Sequence, residues 1–555
     1  MKIKNLIAFV MSLVVALGMT ACSNNDNSSK KDDYKEPDFS FERNEYCGAV
    51  SFGTPAETMD YIDTGEMPVD IKLVISCLKA IVNPEQPRIF TDEKNYNWLE
   101  RLNIPYNVIN DPFDLLKKYE EYLPGVIIYD TAVPHTLNLA RSYFGIEQGL
   151  VCSYVTYLTL KSQGFDLKVI KDFRGEFKKN SVVEVYDYLY DNYWNKLTHR
   201  TITGLNLEVT GEGTDYGLAL GSAFVWLDMK KQDERDMLDK FLSDMEPGKS
   251  CYLGWWQDGD ETAGQNLISS HGLVCLQSNE NMIFFSGLKV ADYTKKAVAP
   301  VEKVENKLYI ALCVSEGDNG RYIQQEMVGL WENYAHHGEF PVSWSLNPMS
   351  IITQPAVIEW FLENKPENAA FYTGPSGLGY TYTDFWNTEL LARYYRATDE
   401  FCKKMGVKVI NLWRNADQPW IDEISKDHIK LLSDNLSYVS AVFDQAYCDP
   451  TAANGLLVTT MSVPYSNIPA PIDEYELSII GSYEALAESN YSFPQFLSIQ
   501  ATPWQTALNS GEDMYDTLYR LYTKYSELYG DKIEFVNIEE MAMLQRLYVG
   551  MNAER

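Results

Sequence analysis

The sequence lacks several motifs that mark large classes of proteins. None of its nine cysteines forms a CxxC pair, which disfavours zinc ribbons and thioredoxin-type redox sites. HExxH is absent, and the adjacent His336 and His337 cannot both face one metal ion from a helix. No GxGxxG follows a predicted strand, so dinucleotide binding has no support. His271 after Ser269 and Ser270 permits a Ser/His arrangement, but no GxSxG elbow is present, which disfavours a serine triad. Cysteines in apolar strands, such as Cys313, are predicted to be buried free thiols.

Basic residues are scarce relative to acidic ones. The chain has 47 Lys and Arg against 78 Asp and Glu, and its formal net charge is -31 at pH 7. Binding to phosphate-rich partners needs concentrated Lys and Arg. We therefore expect no nucleic-acid partner and no direct contact with an anionic lipid surface, and neutral ligands fit the composition better.

Long apolar runs are absent beyond the first twenty residues. The chain starts with a basic end, an apolar stretch over residues 6–18, and small residues just before Cys22, which is the pattern of a secretory signal. The segment Met19-Thr20-Ala21-Cys22 resembles the lipobox of bacterial lipoproteins, in which the cysteine carries the lipid. We predict a signal peptide over 1–21, a lipidated tether over 22–60, and an exported lipoprotein of the outer membrane or cell surface that touches the membrane through its lipid anchor only.

The remaining chain is long enough for two or three domains. Predicted strands and helices alternate up to about residue 205, which indicates an N-terminal α/β domain over 61–205 built on a parallel sheet. A second alternating region begins near Ser222 and is assigned to a C-terminal domain over 206–555. Its predicted strands are residues 224–228, 251–256, 282–285, 308–314, 341–345, 370–373, 407–413, 456–460, 495–499 and 533–536. About eight parallel strands with crossover helices predict a TIM-like (β/α) barrel, with an open doubly wound sheet as the alternative.

Acidic and aromatic residues follow these predicted strands. In a barrel, the functional side chains come from strand ends and the loops after them, so polar residues there carry more weight than elsewhere. The candidates at the predicted mouth are Asp228, Trp255, Trp256, Glu261, Glu316, Asp318, Asn319, Tyr380, Tyr382, Trp413, Arg414 and Trp504.

This combination is typical of carbohydrate binding. Sugar rings stack their C–H faces on Trp and Tyr, and their hydroxyls bond to Asp, Glu, Asn and Arg. Cleavage of a glycosidic bond needs one carboxylic acid as proton donor and a second carboxylate as nucleophile or base. Two hypotheses remain open: a glycoside hydrolase that uses paired carboxylates, and a non-catalytic surface glycan-binding lipoprotein. For the hydrolase, the catalytic candidates are Asp228, Glu261, Glu316 and Asp318, and the other mouth residues are substrate ligands.

Metal binding has one candidate in the sequence. Asp258 and Asp260 could offer oxygen ligands to Ca²⁺, but the loop lacks the full EF-hand pattern, which favours a solvated acidic turn. We therefore expect no cofactor.

The stretch GPSGLGYTYTDFW, residues 374–386, packs three glycines beside four aromatic residues. It follows a predicted strand and precedes a predicted helix, so it is a loop at a ligand-facing strand end. Tyr380 and Tyr382 are predicted to form a sugar-stacking or core-anchoring wall. For Asp384 we expect a helix-capping role.

Within this stretch, Gly377-Leu378-Gly379-Tyr380-Thr381-Tyr382 resembles the motif of the GxGYxYP family of putative glycoside hydrolases. Thr383 stands where the family has proline, so φ is not fixed there by a ring. The resemblance implies an N-terminal α/β domain, a larger C-terminal domain that carries the motif, and hydrolysis of a glycan. It assigns no catalytic residues.

Overall fold

The computed structural model describes residues 34–94, 96–178, 182–257, 261–415, 423–463, 472–488, 494–503 and 513–555. Residues 37–555 belong to one unit, and its described part contains five small sheets with helices between the strands. The predicted α/β class is therefore confirmed. No helix in the described ranges is long and apolar enough to cross a membrane. The eight cysteines in these ranges are all free and buried, as predicted for Cys313.

The amino-terminal part of the chain forms two sheets of three parallel strands. Its elements are β1 (Met59–Asp63), α1 (Val69–Val82), β2 (Ile89–Asp92), α2 (Trp98–Arg101), β3 (Tyr106–Val108), α3 (Pro112–Lys118), β4 (Val126–Ile128), α4 (Thr136–Phe144), β5 (Leu150–Cys152), α5 (Tyr154–Ser162), β6 (Val169–Asp172) and α6 (Val182–Asn192). The strand orders are β2-β1-β3 and β5-β4-β6. All three residues of the central strand β4 are buried, as expected for a parallel strand covered on both faces.

A sheet of four parallel strands follows, and we call it the middle sheet. Its elements are β7 (Thr201–Gly204), α7 (Thr214–Ala219), β8 (Ala223–Val225), α8 (Gln232–Leu242), β9 (Cys251–Gly254), α9 (Glu261–Ser270), β10 (Val274–Leu276) and α10 (Met282–Gly287). The strand order is β10-β9-β7-β8.

The rest of the chain forms two further sheets, which we call the C-terminal sheets. Their elements are β11 (Leu308–Val314), α11 (Gly320–Tyr322), a π-helical turn (Ile323–Met327), α12 (Val328–Asn333), β12 (Ser343–Ser345), α13 (Ser350–Thr353), α14 (Pro355–Asn364), β13 (Ala370–Tyr372), α15 (Thr388–Met405), β14 (Val409–Leu412), α16 (Lys426–Asn435), β15 (Ala441–Asp444), β16 (Thr451–Ala453), β17 (Leu456–Thr460), α17 (Ile472–Glu488), β18 (Gln495–Ala501), α18 (Met514–Tyr529), β19 (Ile533–Val536) and α19 (Ile538–Tyr548).

One C-terminal sheet has the order β13-β12-β11-β18, with β19 also paired to β11, and the other has the order β14-β15-β17-β16. All pairings are parallel except that of β16 with β17. β11 is the central strand of its sheet, because it pairs with β12, β18 and β19. All seven of its residues are apolar and buried, as expected for a strand covered on both faces. Two isolated parallel bridges link the sheets: Thr373 with Ile410, and Val463 with Ile499.

The structure contains two C-terminal strands that were not predicted, β15 and β16, and it differs from the predicted strands in two further places. Residues 224–228 and 251–256 were grouped with the later strands, but they pair with β7 and β10 in the middle sheet. β7 and β10 were missed because they have only four and three residues, too few to show a period. Residues 282–285, predicted as a strand, lie in the helix α10. A short run of buried apolar residues does not distinguish a strand from a buried helix.

Candidate active site

The carboxyl ends of the middle sheet and of the C-terminal sheets open onto one cavity of about 460 Å³. Gly204 and Trp255 reach it from the ends of β7 and β9, and Ser315, Trp413 and Gln500 reach it from the ends of β11, β14 and β18. Ligands of α/β proteins bind at the carboxyl ends of parallel strands. This cavity is therefore the candidate active site.

An acidic loop, residues 315–320, follows β11 and carries two of the predicted catalytic residues. Glu316 has a φ of 75°, a left-handed conformation that side chains rarely adopt. The N–H of Gly317 donates to Oγ of Ser345 at 2.7 Å, and its carbonyl accepts from the N–H of Asn347 at 2.8 Å. A Cβ at Gly317 would lie 1.7 Å from the carbonyl oxygen of Ser345, so glycine is required. The loop is held against β12 by its own backbone.

Asp318 shares the cavity with Glu316 and Glu261. Burial raises the pKa of the Asp318 carboxyl well above its ordinary value, and the neighbouring carboxylates of Glu316 and Glu261 raise it further. Both causes favour the protonated form of the Asp318 carboxyl. This is the property that a general acid needs.

Glu261 is oriented by a tyrosine of the glycine-rich motif. It is the first residue of α9, where the helix dipole favours a carboxylate. The hydroxyl of Tyr380 donates to its Oε1 at 2.7 Å and lies 2.8 Å from the hydroxyl of Tyr382. Burial raises the pKa of Tyr380 well above its usual range, and Tyr382 and Glu261 add to this, so Tyr380 stays a phenol donor. Glu261 therefore accepts a hydrogen bond from a buried phenol, whereas burial and neighbouring carboxylates raise the pKa of Asp318.

Three aromatic residues among the predicted sugar ligands line the cavity: Trp255, Tyr380 and Trp413. The rings of Trp255 and Tyr380 are 6.1 Å apart and nearly parallel at 21°. Trp413 stands edge-on to Tyr380 at 6.1 Å and is fixed by a 2.8 Å hydrogen bond from its Nε1 to Oδ1 of Asn411. The rings of Trp255 and Trp413 are partly exposed beside the carboxyl groups, which suits a sugar ring, whereas Tyr380 is 3% exposed and contributes its hydroxyl.

The glycines of the motif allow its backbone to pass close to other elements. Gly377 has a φ of 130° and Gly379 a φ of 87°. A Cβ at Gly377 would lie 2.6 Å from Thr398 in α15, and one at Gly379 would lie 3.0 Å from Val274 in β10. The backbones of Tyr380 and Cys275 exchange hydrogen bonds of 2.8 and 3.0 Å. The motif therefore extends the edge of the middle sheet and carries Tyr380 into the cavity.

Two residues beside the motif differ from expectation. Asp384 was expected to cap the following helix, but Asn387 caps α15 and accepts from the N–H of Leu390 at 3.0 Å. Asp384 instead pairs with Nη1 of Arg414 at 3.2 Å. The N–H of Thr383 donates to the carbonyl of Trp413 at 3.3 Å, a bond that proline at this position could not make.

The structure brings some predicted site residues together and places others elsewhere. Asn319 lines the cavity, and its side chain also caps α11 by accepting from the N–H groups of Arg321 and Tyr322. Four other candidates are not among the described residues of the lining: Asp228, Trp256, Tyr382 and Arg414.

Each of these four has contacts of its own. Asp228 accepts from the N–H of Lys230 at 3.0 Å and pairs with Lys231. Arg414 binds Asp444 with Nε at 2.7 Å. Trp256 and Tyr382 are 1% and 2% exposed, so their rings belong to the core and not to a ligand surface.

Trp504, Asp258, Asp260 and Cys22 lie outside the described residues. Within the described residues, no group of three or more His, Cys, Asp and Glu side chains could hold a metal ion.

Sequence reasoning missed an ion pair in the cavity wall. Nη1 of Arg321 lies 3.6 Å from Oε1 of Glu212, and both residues line the cavity. Burial raises the pKa of Glu212, and the charge of Arg321 opposes that rise. The available signal was an acid between two glycines, Gly211 and Gly213, after a strand. That strand, β7, was too short to be predicted.

A Tyr380→Phe variant tests the orienting role of the tyrosine. It removes the hydroxyl that binds Glu261 but keeps the buried ring, so we expect a loss of kcat of roughly 10-fold with little change in KM. Steady-state kinetics on a cleaved glycan would measure both. Tyr382→Phe is the matched control, because its hydroxyl lies 2.8 Å from that of Tyr380, whereas the Tyr380 hydroxyl donates to Oε1 of Glu261. Equal effects of the two substitutions would argue against orientation of Glu261 by Tyr380.

The fold and the cavity define an α/β protein with an acidic and aromatic ligand site at the carboxyl ends of two sets of parallel strands. The chain belongs to the GxGYxYP family. The model of the "GxGYxYP putative glycoside hydrolase C-terminal domain" matches residues 306–528, and that of the "GxGYxYP_N second domain" matches residues 123–197. Together the two matches cover more than half of the chain, in agreement with the resemblance of the motif.

Solved structures give a second comparison. The chain is similar to the crystal structure of a putative hydrolase from Bacteroides thetaiotaomicron VPI-5482, with 19% identity and a TM-score of 0.74 over 91% of this chain and 98% of that one. This shows a shared fold. The crystal structure of a putative polysaccharide deacetylase from Mycobacterium smegmatis has 11% identity and a TM-score of 0.30 over 46% of this chain and 97% of its own. This similarity is too low to show a shared fold. No curated protein matches the chain.

Proposed function

We propose that the protein is a glycoside hydrolase that cleaves a neutral polysaccharide or oligosaccharide, with Asp318 as the general acid and Glu261 as the opposing carboxylate. The observation that carries this proposal is the environment of Asp318, a carboxyl group whose pKa is raised well above its ordinary value in a cavity that it shares with three further carboxyl groups. A protein that only binds glycans has no need of a carboxyl group with a strongly raised pKa.

The proposed reaction assigns a separate task to each carboxyl group. Asp318 gives its proton to the glycosidic oxygen as the bond from that oxygen to the anomeric carbon breaks, so the leaving sugar departs as a neutral alcohol. Glu261, which accepts a hydrogen bond from Tyr380, is assigned as the carboxylate that acts on the anomeric carbon from the other side, either directly or through a water that it deprotonates. Water supplies the new hydroxyl, and its proton restores the acid.

Glu316 is assigned a supporting role in this reaction. Its carboxylate raises the pKa of Asp318 more than that of Glu261 does. The left-handed backbone at Glu316 and the close approach of Gly317 to β12 hold it on the same loop as the acid. Strained backbone conformations are common at functional sites. We assign Glu316 to keeping Asp318 protonated.

The charges of the lining favour an uncharged substrate. Four carboxyl groups line the cavity, those of Glu212, Glu261, Glu316 and Asp318, and the one cation among the described lining residues, Arg321, is paired with Glu212. A uronic acid or a sulfated sugar would meet carboxylates without a free counter-charge. The cavity volume lies in the lower half of the range of small-molecule sites, about 300 to 1,000 Å³, which suits a short saccharide or the end of a longer chain.

We also propose that the C-terminal strands close into a TIM-like barrel. Strand pairing runs through β18, β11, β12 and β13, and the bridge from Thr373 to Ile410 leads on to β14, β15 and β17. The bridge from Val463 to Ile499 then returns to β18. A path that returns to its starting strand supports a barrel of seven strands more than an open doubly wound sheet.

The proposed location is the cell envelope. Its support is the signal-like start of the chain and the small residues before Cys22, which we propose carries the lipid. An enzyme tethered in this way would meet glycans outside the cytoplasm.

A glycan panel tests the proposed function. The tether-free protein and its Glu261→Gln variant would be incubated with neutral plant, host and microbial polysaccharides, and released saccharides would be measured by mass spectrometry. We expect release by the parent protein and at least about a 100-fold slower release by the variant, with glycan retention in affinity gels preserved. Retention by the parent without release from any glycan would instead indicate a binding protein.

A further inference from the structure

A second cavity of about 100 Å³ lies at the opposite end of the C-terminal strands. Ala370, the first residue of β13, and Lys408, which directly precedes β14, both line it. The candidate active site lies at the carboxyl ends of the same two strands, so the two cavities are separated by the length of the strands. Lys365 and Glu539 complete the polar part of the smaller cavity.

The two lysines bring positive charge that the surrounding protein does not neutralise at close range. Lys365 is only 7% exposed, and its Nζ donates to the carbonyl of Ala369 at 2.7 Å and to that of Pro366 at 3.5 Å, which together use two of its three N–H donors. Nζ of Lys408 lies 3.8 Å from the ring centre of Tyr438. Neither ammonium has a carboxylate within salt-bridge distance in the described part of the chain. Burial lowers the pKa of both lysines, as expected for cations with incomplete partners.

Glu539 does not cancel this charge fully. It lies in the first turn of α19, and it interacts with both lysines without forming a salt bridge to either in the described residues. Burial raises the pKa of its carboxyl to about 7, against the opposing effect of Lys365 and Lys408. A carboxyl group with this pKa is only partly ionised at neutral pH, and its neutral form can donate a hydrogen bond to an anion.

We propose that this cavity binds one small oxyanion of the phosphate or sulfate type, held between the ammonium groups of Lys365 and Lys408. Buried cations with unused donors are costly, and an anion that accepts from both would remove that cost. The chain has a net charge of -31, so the presence of two lysines in one cavity is not a consequence of a generally basic surface. Two more lysines, Lys295 and Lys296, are exposed at the rim. The small volume suits a single ion and not a nucleotide.

Titration with inorganic phosphate, and separately with sulfate, in a chloride buffer tests the proposal. Calorimetry on the parent protein should show saturable binding of one ion per chain and a matching rise in Tm. We expect Lys408→Met to weaken the binding at least 10-fold. Lys404→Met is the matched control, because Lys404 is in the same region of the chain but pairs with Glu400 outside the cavity. It should bind as the parent does.

A second variant distinguishes loss of the binding site from misfolding of the protein. Glu539→Gln removes the opposing charge and keeps the shape, so it should bind phosphate more tightly than the parent does, which a misfolded protein could not. The proposal would be overturned if neither ion binds the parent saturably, if Lys408→Met binds as well as the parent, or if Glu539→Gln fails to bind. Whichever of phosphate and sulfate binds more tightly identifies the preferred ion.

Discussion

An Asp318→Asn variant is expected to lose about 10²- to 10⁴-fold in kcat/KM on a natural glycan, because an amide cannot donate the proton that the leaving oxygen needs. The loss should nearly vanish on an aryl glycoside with a strongly acidic phenol as leaving group, since such a phenol leaves without protonation. Steady-state rates on the two substrates measure both effects. Equal losses on both substrates would contradict the role of Asp318 as acid.

The same variant should be more stable than the parent protein at neutral and alkaline pH. The pKa of Asp318 is raised in the folded protein, so the unfolded chain releases the proton first as pH rises above about 3.9, the ordinary value for Asp. The free energy of unfolding of the parent protein therefore falls with rising pH until the pKa of Asp318 in the folded protein is passed. Asparagine has no proton to lose in this range, so the variant does not show this fall. Urea unfolding from pH 4 to pH 9 should show the gap widening with pH.

An exposed aspartate provides the control for this stability effect. Asp531→Asn, in a surface turn, should leave the pH dependence of stability unchanged. A constant difference between Asp318→Asn and the parent across the pH range would show that the raised pKa of Asp318 does not affect folding.

Gly317→Ala is expected to destabilise the protein by about 4 kcal/mol or more and to abolish activity. The new methyl group would lie 1.7 Å from the carbonyl oxygen of Ser345 and 2.5 Å from the backbone nitrogen of Leu346, and backbone atoms of a buried strand end cannot move aside cheaply. Any relief requires the acidic loop to leave β12, which displaces Glu316 and Asp318 together. Urea unfolding and glycan turnover measure the two effects.

Gly329→Ala is the matched control for this substitution. Gly329 lies in α12, and a Cβ there would meet nothing within 4 Å. Alanine in a helix is favoured over glycine by about 1 kcal/mol, so this variant should be as stable as the parent or slightly more stable. If Gly317→Ala were as stable and as active as Gly329→Ala, the result would contradict the close packing of the acidic loop on β12.

The sequence was sufficient for the class of fold and for part of the site. Seven consecutive apolar residues predict β11, and all seven are buried in the structure. The acids that follow this strand, Glu316 and Asp318, line the cavity. Glu261 was found for the same reason, as an acid after an apolar strand. Strand ends are visible in a sequence when the strand is long and apolar.

Side-chain direction was the part that sequence could not supply. Trp255 and Trp256 follow the same strand, yet Trp255 lines the cavity and Trp256 is buried against Gly264. The two rings are stacked 4.2 Å apart, and the sequence does not show which of the two faces the cavity. Asp228 was a candidate by its position alone, and local contacts with Lys230 and Lys231 use its carboxylate.

Contacts between distant segments were also invisible in the sequence. The glycines of the motif indicated a close approach but not its partner, which is Val274 in β10, about a hundred residues earlier. The pairing of Tyr380 with Cys275 joins the C-terminal part of the chain to the middle sheet and aims the Tyr380 hydroxyl at Glu261. Short strands such as β10 have no periodic signal, so the partner could not be inferred.

The pH profile of kcat/KM for the parent protein and for Glu316→Gln tests most directly whether Asp318 is the proton donor. The carboxylate of Glu316 raises the pKa of Asp318, so its removal should move the alkaline limb of the profile to lower pH, where Asp318 loses its proton earlier. The acidic limb should change less. An alkaline limb that stays in place in Glu316→Gln would contradict the assignment of Asp318 as the acid.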